Sequence, residues 1–262
     1  RSGYDHIHVT PNEEVMRTFN KIGLIEMGFP YYGWLISIFS VVIKVSLLFK
    51  IPLIFYGENG EVEYGGNLKK NTPRVSLKEI SKVFFEGGYQ KIFKKLEKNK
   101  KNMFWFEMPK AREKDFFITH WSYFEPWDSY RNYLVAKKHC NLTESKVTNP
   151  GTFTNFAQTD QALYDLHTYL MYLKFGFGRA TQDVGIEIRR GAMTRDQGVN
   201  LVNLYDGHFP DHNLDLYLDY YKMTKKEFTK VFDKWANKKL FYKCNKEKKW
   251  KPKFEVDKEF AY

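Results

Sequence analysis

Three short segments of this 262-residue chain combine residue types that can do chemistry. The first reads Tyr-Gly-Glu-Asn-Gly-Glu-Val-Glu-Tyr-Gly-Gly from Tyr56 to Gly66. It sets Glu58, Glu61 and Glu63 among four glycines, with Gly57 and Asn59 in its opening turn. Glycine permits tight turns and close backbone approach. Mg²⁺ takes one or two carboxylates together with phosphate oxygens, so the loop could hold Mg²⁺ beside a nucleotide. A polar surface loop is the plain alternative.

The second segment runs from Lys174 to Thr181 and contains Gly176, Gly178 and Arg179. A Gly-x-Gly entering a helix aims backbone amides at an anion. Arg179 could grip that anion with two parallel hydrogen bonds. The segment lacks the third glycine of a dinucleotide fingerprint, and a glycine hinge between helices explains it equally well. The third segment, Trp121 to Tyr130, mixes aromatics with acids, including Trp127 and Asp128. Such residues stack on a sugar or base, or else fill a core.

Other candidates are weaker. His208 and His212 have a metal-ligand spacing, but Pro210 breaks the helix that would align them. His139 and Cys140 share a helix end with no orienting acid beside them. No Gly-x-Ser-x-Gly, Walker A or His-Glu-x-x-His motif occurs.

The elements that must position these residues follow from local signals. Asp5–Thr10 alternates as a strand does. A helix is predicted over Asn12–Met27, with Pro11 before it and Gly28 after it, then a second over Trp34–Phe49. Pro52–Tyr56 reads as a buried central strand ending at the acidic loop, where open α/β sheets bind ligands. Ser76 and Glu79 form a capping box whose helix breaks at Gly87-Gly88 and resumes to Glu97. Phe116–Phe124 reads as a strand, and Asp128 as the cap of a helix to Lys138. Residues 148–151 read as a turn, and everything beyond as helical. In that stretch Asp160 and Thr181 are the expected caps of two helices, and Thr194/Gln197 and Thr224/Glu227 are capping boxes. Asp183 falls in the first turn of the Thr181 helix, and Arg189 and Arg190 in its last.

Composition bounds the rest. A hydrophobic share of 43% and a charged share of 28% describe a globular chain. Two cysteines make no disulfide framework, so a reduced, cytoplasmic compartment is expected. The net charge of +11 is concentrated in residues 69–101 and 221–260, each carrying +8, which leaves −5 elsewhere. Basic runs can meet nucleic acid, but helical apolar spacing in both favours solvated helix faces. The apolar run Trp34–Phe49 is short of the roughly 20 residues that span a bilayer. The chain starts at Arg1, almost directly before a strand-like segment, so an N-terminal portion preceding Arg1 is expected.

Taken together, "IPLIFYGENGEVEYGG", "PWDSYRNYLVAKKH" and "LKFGFGRATQDVGIEIRRGAMTRDQGVNLVNLYDGHFP" resemble the N-acetyl sugar amidotransferase family, over most of residues 3–240. That family acts in nonulosonic-acid and O-antigen sugar pathways and is similar to ATP pyrophosphatases of the PP-loop type. The resemblance implies an α/β fold: a partial Rossmann-like adenine-nucleotide α-hydrolase parallel sheet over residues 1–125, with a basic helical insertion at about 69–101. A mainly helical substrate or partner region over 126–262 would follow. It implies ATP and Mg²⁺ as cofactors, adenylylation of a sugar acetamido oxygen, and displacement of AMP by ammonia to leave an acetamidino group. An N-acetylated nucleotide sugar would be the substrate, and a glutaminase subunit or free ammonia the nitrogen source. Nucleic acid and a membrane span are not expected.

Carried over residue by residue, Gly57, Asn59, Glu61 and Glu63 would contact nucleotide, and Glu58 with Glu61 the Mg²⁺. Gly176, Gly178 and Arg179 would bind phosphate. Trp127, Asp128, Lys174, Arg189 and Arg190 would bind substrate, and Glu58 or Asp183 would accept a proton. The family's Ser-Gly-Gly-x-Asp-Ser loop and N-terminal cysteine cluster are absent from the 262 residues, so these alone are expected to be inactive. An RNA-modifying PP-loop enzyme and a non-catalytic partner protein are the competing expectations.

Overall fold

The computed structural model describes residues 3–67, 69, 71–85, 93–94, 102–110, 112–158, 161–244, 246 and 249–258. The expected break at Gly87-Gly88, its continuation to Glu97 and the Asp160 cap lie outside them. Two units divide the chain, residues 3–127 and residues 128–262.

The N-terminal unit starts with two helices, α1 (Glu13–Met27) and α2 (Tyr32–Phe49). Asn12 caps α1 by accepting from the Val15 amide at 3.0 Å, and Gly28 ends it at φ 63°. The pair packs closely because Gly33 lies against Phe19, where a Cβ would come within 2.6 Å. Asn20 Oδ1 accepts from the Gly33 amide at 2.7 Å and so serves the start of α2, which has no side-chain cap of its own. By length and composition α2 could cross a bilayer, but 44% of that window is buried inside the protein. Its Tyr32, Ile36, Phe39 and Ile43 join Phe19, Ile54, Phe106 and Ile118 in one core.

After α2 comes β1 (Leu53–Tyr56), which pairs in parallel with β2 (Phe117–His120). Between them lie the four-residue helix α3 (Gly60–Glu63) and the Ser76/Glu79 capping box, whose turn continues as a π-helix. Ile54 and Ile118 are 5% and 1% exposed, while Leu53, Phe55 and Phe117 are 52%, 47% and 38% exposed. One face of the pair is therefore covered and the other open except at Thr119, which is 1% exposed; this corrects the expectation of a strand buried on both faces. The expected Asp5–Thr10 strand is also corrected. The alternation is real, since His6 and His8 stack at 6.2 Å, but no described strand pairs with it. Strand propensity without a neighbour makes no ladder. The Phe116–Phe124 strand stops at His120 and turns into 3₁₀ helix over Trp121–Tyr123.

The C-terminal unit holds α4 (Ser129–Cys140), α5 (Ala162–Phe175), α6 (Arg179–Arg189) and α7 (Arg195–Tyr205). These are followed by α8 (Leu214–Tyr221) and α9 (Lys225–Trp235). Asp128, Thr194 and Thr224 cap their helices as expected. Asn149–Thr152 is the expected turn, with Gly151 at φ 79°. Leu166, Leu170 and Leu173 are buried along α5, and Phe228, Val231 and Phe232 along α9. Lys225, Lys226, Lys230 and Lys234 are exposed, so the α9 part of this basic run is a solvated helix face. The expectation that everything beyond residue 151 is helical is corrected by an antiparallel hairpin, β3 (Phe241–Cys244) with β4 (Lys249–Pro252). Thr181 lies inside α6 instead of capping it, and Gly178 holds the cap position.

Candidate functional site

At the carboxyl end of β1 the acidic loop is tied to β2 by polar contacts. His120, buried at the end of β2, donates from Nδ1 to the Glu58 carbonyl at 2.5 Å. A carbonyl only accepts, so Nδ1 carries the proton and the acceptor lone pair lies on Nε2. Burial pushes the His120 pKa below its ordinary value, against the opposing pull of that carbonyl. Asn59 accepts from the Glu61 amide at 3.1 Å and donates to Asn71 at 3.3 Å. Asn71 in turn donates to the Ser122 carbonyl at 3.2 Å, just past β2.

The carboxylates of this loop have different surroundings. Glu58 is exposed and Glu63 is buried. Glu61 accepts from the Asn67 amide at 2.7 Å, and a Cβ on Gly66 would strike its carboxylate at 2.3 Å. Among the described residues no three His, Cys, Asp or Glu side chains gather as metal ligands. Around the same strand ends Tyr56 Oη, Thr119 Oγ1 and Ser122 Oγ are buried without a hydrogen-bond partner in the protein. An unmet buried hydroxyl costs about 1–3 kcal/mol. Nearby, Trp127 Nε1 is likewise unpartnered.

In the C-terminal unit the second segment is already satisfied from within. Gly176 ends α5 at φ 85°. The anion at the start of α6 is Asp206, at the end of α7. Its carboxylate accepts from the amides of Gly178 at 2.8 Å and Ala180 at 2.9 Å, and from the Thr181 hydroxyl at 2.6 Å. A Cβ on Gly178 would meet that carboxylate at 2.6 Å, so the glycine is required by the chain's own aspartate. Burial raises the Asp206 pKa, and these three donors oppose the shift. The Gly176 amide donates to the Tyr172 carbonyl at 2.8 Å, so the amides of Gly176 and Gly178, where a phosphate contact is expected, are both bonded within the protein.

Arg179 is also committed. Its Nε pairs with Asp183 at 2.8 Å with both side chains buried, and it donates to the Tyr164 hydroxyl. Asp183 further accepts from Thr152 at 2.5 Å and Thr154 at 3.4 Å. Arg179, the expected phosphate grip, and Asp183, the expected proton acceptor, are thus bonded to each other as a buried ion pair. Lys174 lies 5.1 Å and 5.2 Å from the rings of Phe175 and Trp235. Asp128 accepts from the Arg131 amide and stands 3.8 Å from Arg190, which also pairs with Glu187 at 2.6 Å. Arg189 is exposed.

Sequence reasoning passed over His120, Asn71 and Asp206. The first two act across about 50–60 residues and leave no local signal. Asp206 stands in a quoted motif, and its spacing of 28 residues from Gly178 is visible only once α6 and α7 fold back.

The search of curated proteins finds no match to this chain. Residues 150–255 match the family model described as "LPS biosynthesis protein WbpG-like, C-terminal domain". This stretch, which contains α5 to α9 and the hairpin, is thus similar to the C-terminal domain of WbpG-like lipopolysaccharide biosynthesis proteins.

Proposed function

We propose that the chain is part of an enzyme of bacterial surface-polysaccharide biosynthesis that converts a sugar N-acetyl group into an acetamidino group. The match over residues 150–255 supports the pathway class. The observation that carries the site is the unmet Tyr56 hydroxyl, on the face it shares with His120 at the carboxyl ends of β1 and β2. It lies where open α/β sheets take their ligands. A substrate amide or hydroxyl would meet it, whereas Thr119, paired with Phe55, projects from the other face. We further propose that β1 and β2 belong to a wider parallel sheet of the adenine-nucleotide α-hydrolase type. Parallel strands are normally covered on both faces, and this pair leaves Leu53, Phe55 and Phe117 open.

The reaction replaces the acetamido oxygen by an NH group. Ammonia, free or from a glutaminase subunit, adds to the acetamido carbon to form the new C–N bond, the C–O bond breaks, and the oxygen leaves with two protons as water or, where it has been activated, on the activating group. His120 fits as proton acceptor, because its Nε2 lone pair is kept in the neutral ring. Glu58 is the exposed carboxylate available to a cation or an ammonium. The resemblance assigns activation of the oxygen to ATP with Mg²⁺. The start of α6 does not fit the phosphates of ATP, since Asp206 takes its amides.

The test supplies the full-length chain with an N-acetylated nucleotide sugar, ammonium, ATP and Mg²⁺, and follows exchange of one oxygen for NH by mass spectrometry. Glu58→Ala and His120→Gln are expected to lower turnover by about 100-fold. Unchanged turnover in both removes the loop from the reaction. A wild-type chain that exchanges no oxygen on any N-acetylated sugar ends the reading.

A further inference from the structure

The last turn of α2 carries apolar side chains out of the core. Tyr32, Ile36, Phe39 and Ile43 follow one helix face inward, and Leu47 packs against the same core. Leu48 and Phe49 fall outside that face and are 74% and 56% exposed. Lys50, at φ 57°, ends the helix, and the Ile51 amide donates to the Ser46 carbonyl at 2.9 Å. Ile51 is 53% exposed, so Leu48, Phe49 and Ile51 make an apolar tip with Lys50 among them.

Leu48 also lines a groove of about 930 Å³. Leu47, Phe93, Phe104, Trp105 and Met108 give the groove an apolar lining, and Phe104 is 58% exposed. The 3₁₀ turn over Phe104–Phe106 is fixed to α2: Ser40 donates to the Glu107 carbonyl at 2.6 Å, and Lys44 to the Phe104 carbonyl. Lys44, Lys94 and Lys110 stand in the lining with one acid, Glu107, whose charge acts on Lys44. Among the described residues no carboxylate pairs with Lys50, Lys94 or Lys110. Lys94 belongs to the 69–101 run that carries +8 and that the reaction above does not use.

This pairing of groups selects among occupants. Interfaces between proteins are depleted in lysine. Lysine suits a boundary instead, because its stem lies along apolar surface while its head stays in water. An anionic bilayer meets both parts, with headgroup phosphates for the ammonium groups and acyl chains for the tip. We propose that the end of α2 docks the protein on an anionic lipid surface, with Leu48, Phe49 and Ile51 at the acyl boundary and Lys50, Lys94 and Lys110 at the phosphates. The helix does not cross the bilayer, since its inner face belongs to the core.

Flotation of the full chain with vesicles tests this, using phosphatidylcholine alone and an equal mixture with phosphatidylglycerol. Binding is expected to the mixture and not to phosphatidylcholine. Leu48→Ser/Phe49→Ser changes exposed side chains, is expected to keep the wild-type melting temperature, and should weaken binding about tenfold. Lys94→Gln and Lys110→Gln should each weaken it about fivefold, with the difference shrinking at high salt. No binding to the mixture, equal binding to both vesicles, or full binding by Leu48→Ser/Phe49→Ser would overturn the proposal. A dimer in light scattering that Leu48→Ser/Phe49→Ser dissolves would assign the tip to a second copy and overturn it too. So would an RNA that displaces the protein from the mixed vesicles through the same three apolar residues.

Discussion

The second segment and the ends of β1 and β2 treat their buried polar groups in opposite ways. In residues 128–262 the charged groups of the second segment are matched from within: Arg179 with Asp183, and Asp206 with two amides and a hydroxyl. In residues 3–127 the hydroxyls of Tyr56, Thr119 and Ser122 go unmet, and one face of β1–β2 stays open. The difference separates two kinds of reactive-looking residue. Where the network closes on itself, an arginine, an aspartate and a pair of glycines hold the fold. Where it stays open, modest groups such as serine and threonine hydroxyls mark the place for something else.

Breaking the closed network should give the largest effect. Asp206→Ala leaves three buried donors without an acceptor and is expected to cost about 3 kcal/mol, read by urea unfolding. Asp206→Asn should recover part of that loss. A loss below about 1 kcal/mol would mean that the carboxylate is not the anchor described. The open unit offers a sharper contrast within one strand. Ile54→Ala should cost about 3 kcal/mol, and Leu53→Ala under about 0.5 kcal/mol, because Leu53 faces outward. Equal losses at the two positions would show that the outer face is covered in solution.

The closed unit also holds two titrating groups on α5 that oppose each other. Burial pushes Asp165 from 3.8 up to about 7, and pushes His167 from 6.5 down to about 3, with Lys174 and Arg179 adding to the second shift. Between about 4 and 7 the folded chain binds a proton at Asp165 that the unfolded chain lacks, so stability falls as pH rises. Between about 3 and 6.5 the unfolded chain binds the extra proton at His167, so stability is lost as pH falls. The two slopes offset each other. Asp165→Asn should therefore leave a melting temperature that climbs from pH 3 to 6.5, and His167→Gln one that declines from pH 4 to 7. Identical profiles in the two variants would contradict the assignment. A surface cap gives a smaller loss than Asp206 or Ile54: Thr194→Ala should cost about 1 kcal/mol, measured by thermal melting.

Local chemistry was readable from sequence and distant chemistry was not. Asn12, Ser76, Asp128, Thr194 and Thr224 each bond a backbone amide three residues ahead, and all five were identified as helix starts. The order strand, helices, strand over residues 5–56 signalled a parallel sheet, but β1 takes β2 as its parallel partner and no described strand forms at Asp5–Thr10. Thr181 misled because its hydroxyl serves Asp206 instead of its own helix end. The β3–β4 hairpin was concealed by lysines alternating with aromatics, which read as a charged helix face. The glycines and arginine of the second segment signalled an anion correctly, but an internal aspartate supplies the charge in place of a ligand.

That aspartate has a consequence for how the C-terminal unit opens. The Gly178 and Ala180 amides are bonded 28 and 26 residues downstream, beyond the whole of α6 and α7. Fraying of α6 by itself does not free them, since their acceptor belongs to another helix. Their hydrogens exchange with solvent when the Asp206 carboxylate lets go, as it does when the two helices part. In a native-state exchange experiment these two amides would keep time for the separation of α6 from α7, while the neighbouring turns come and go.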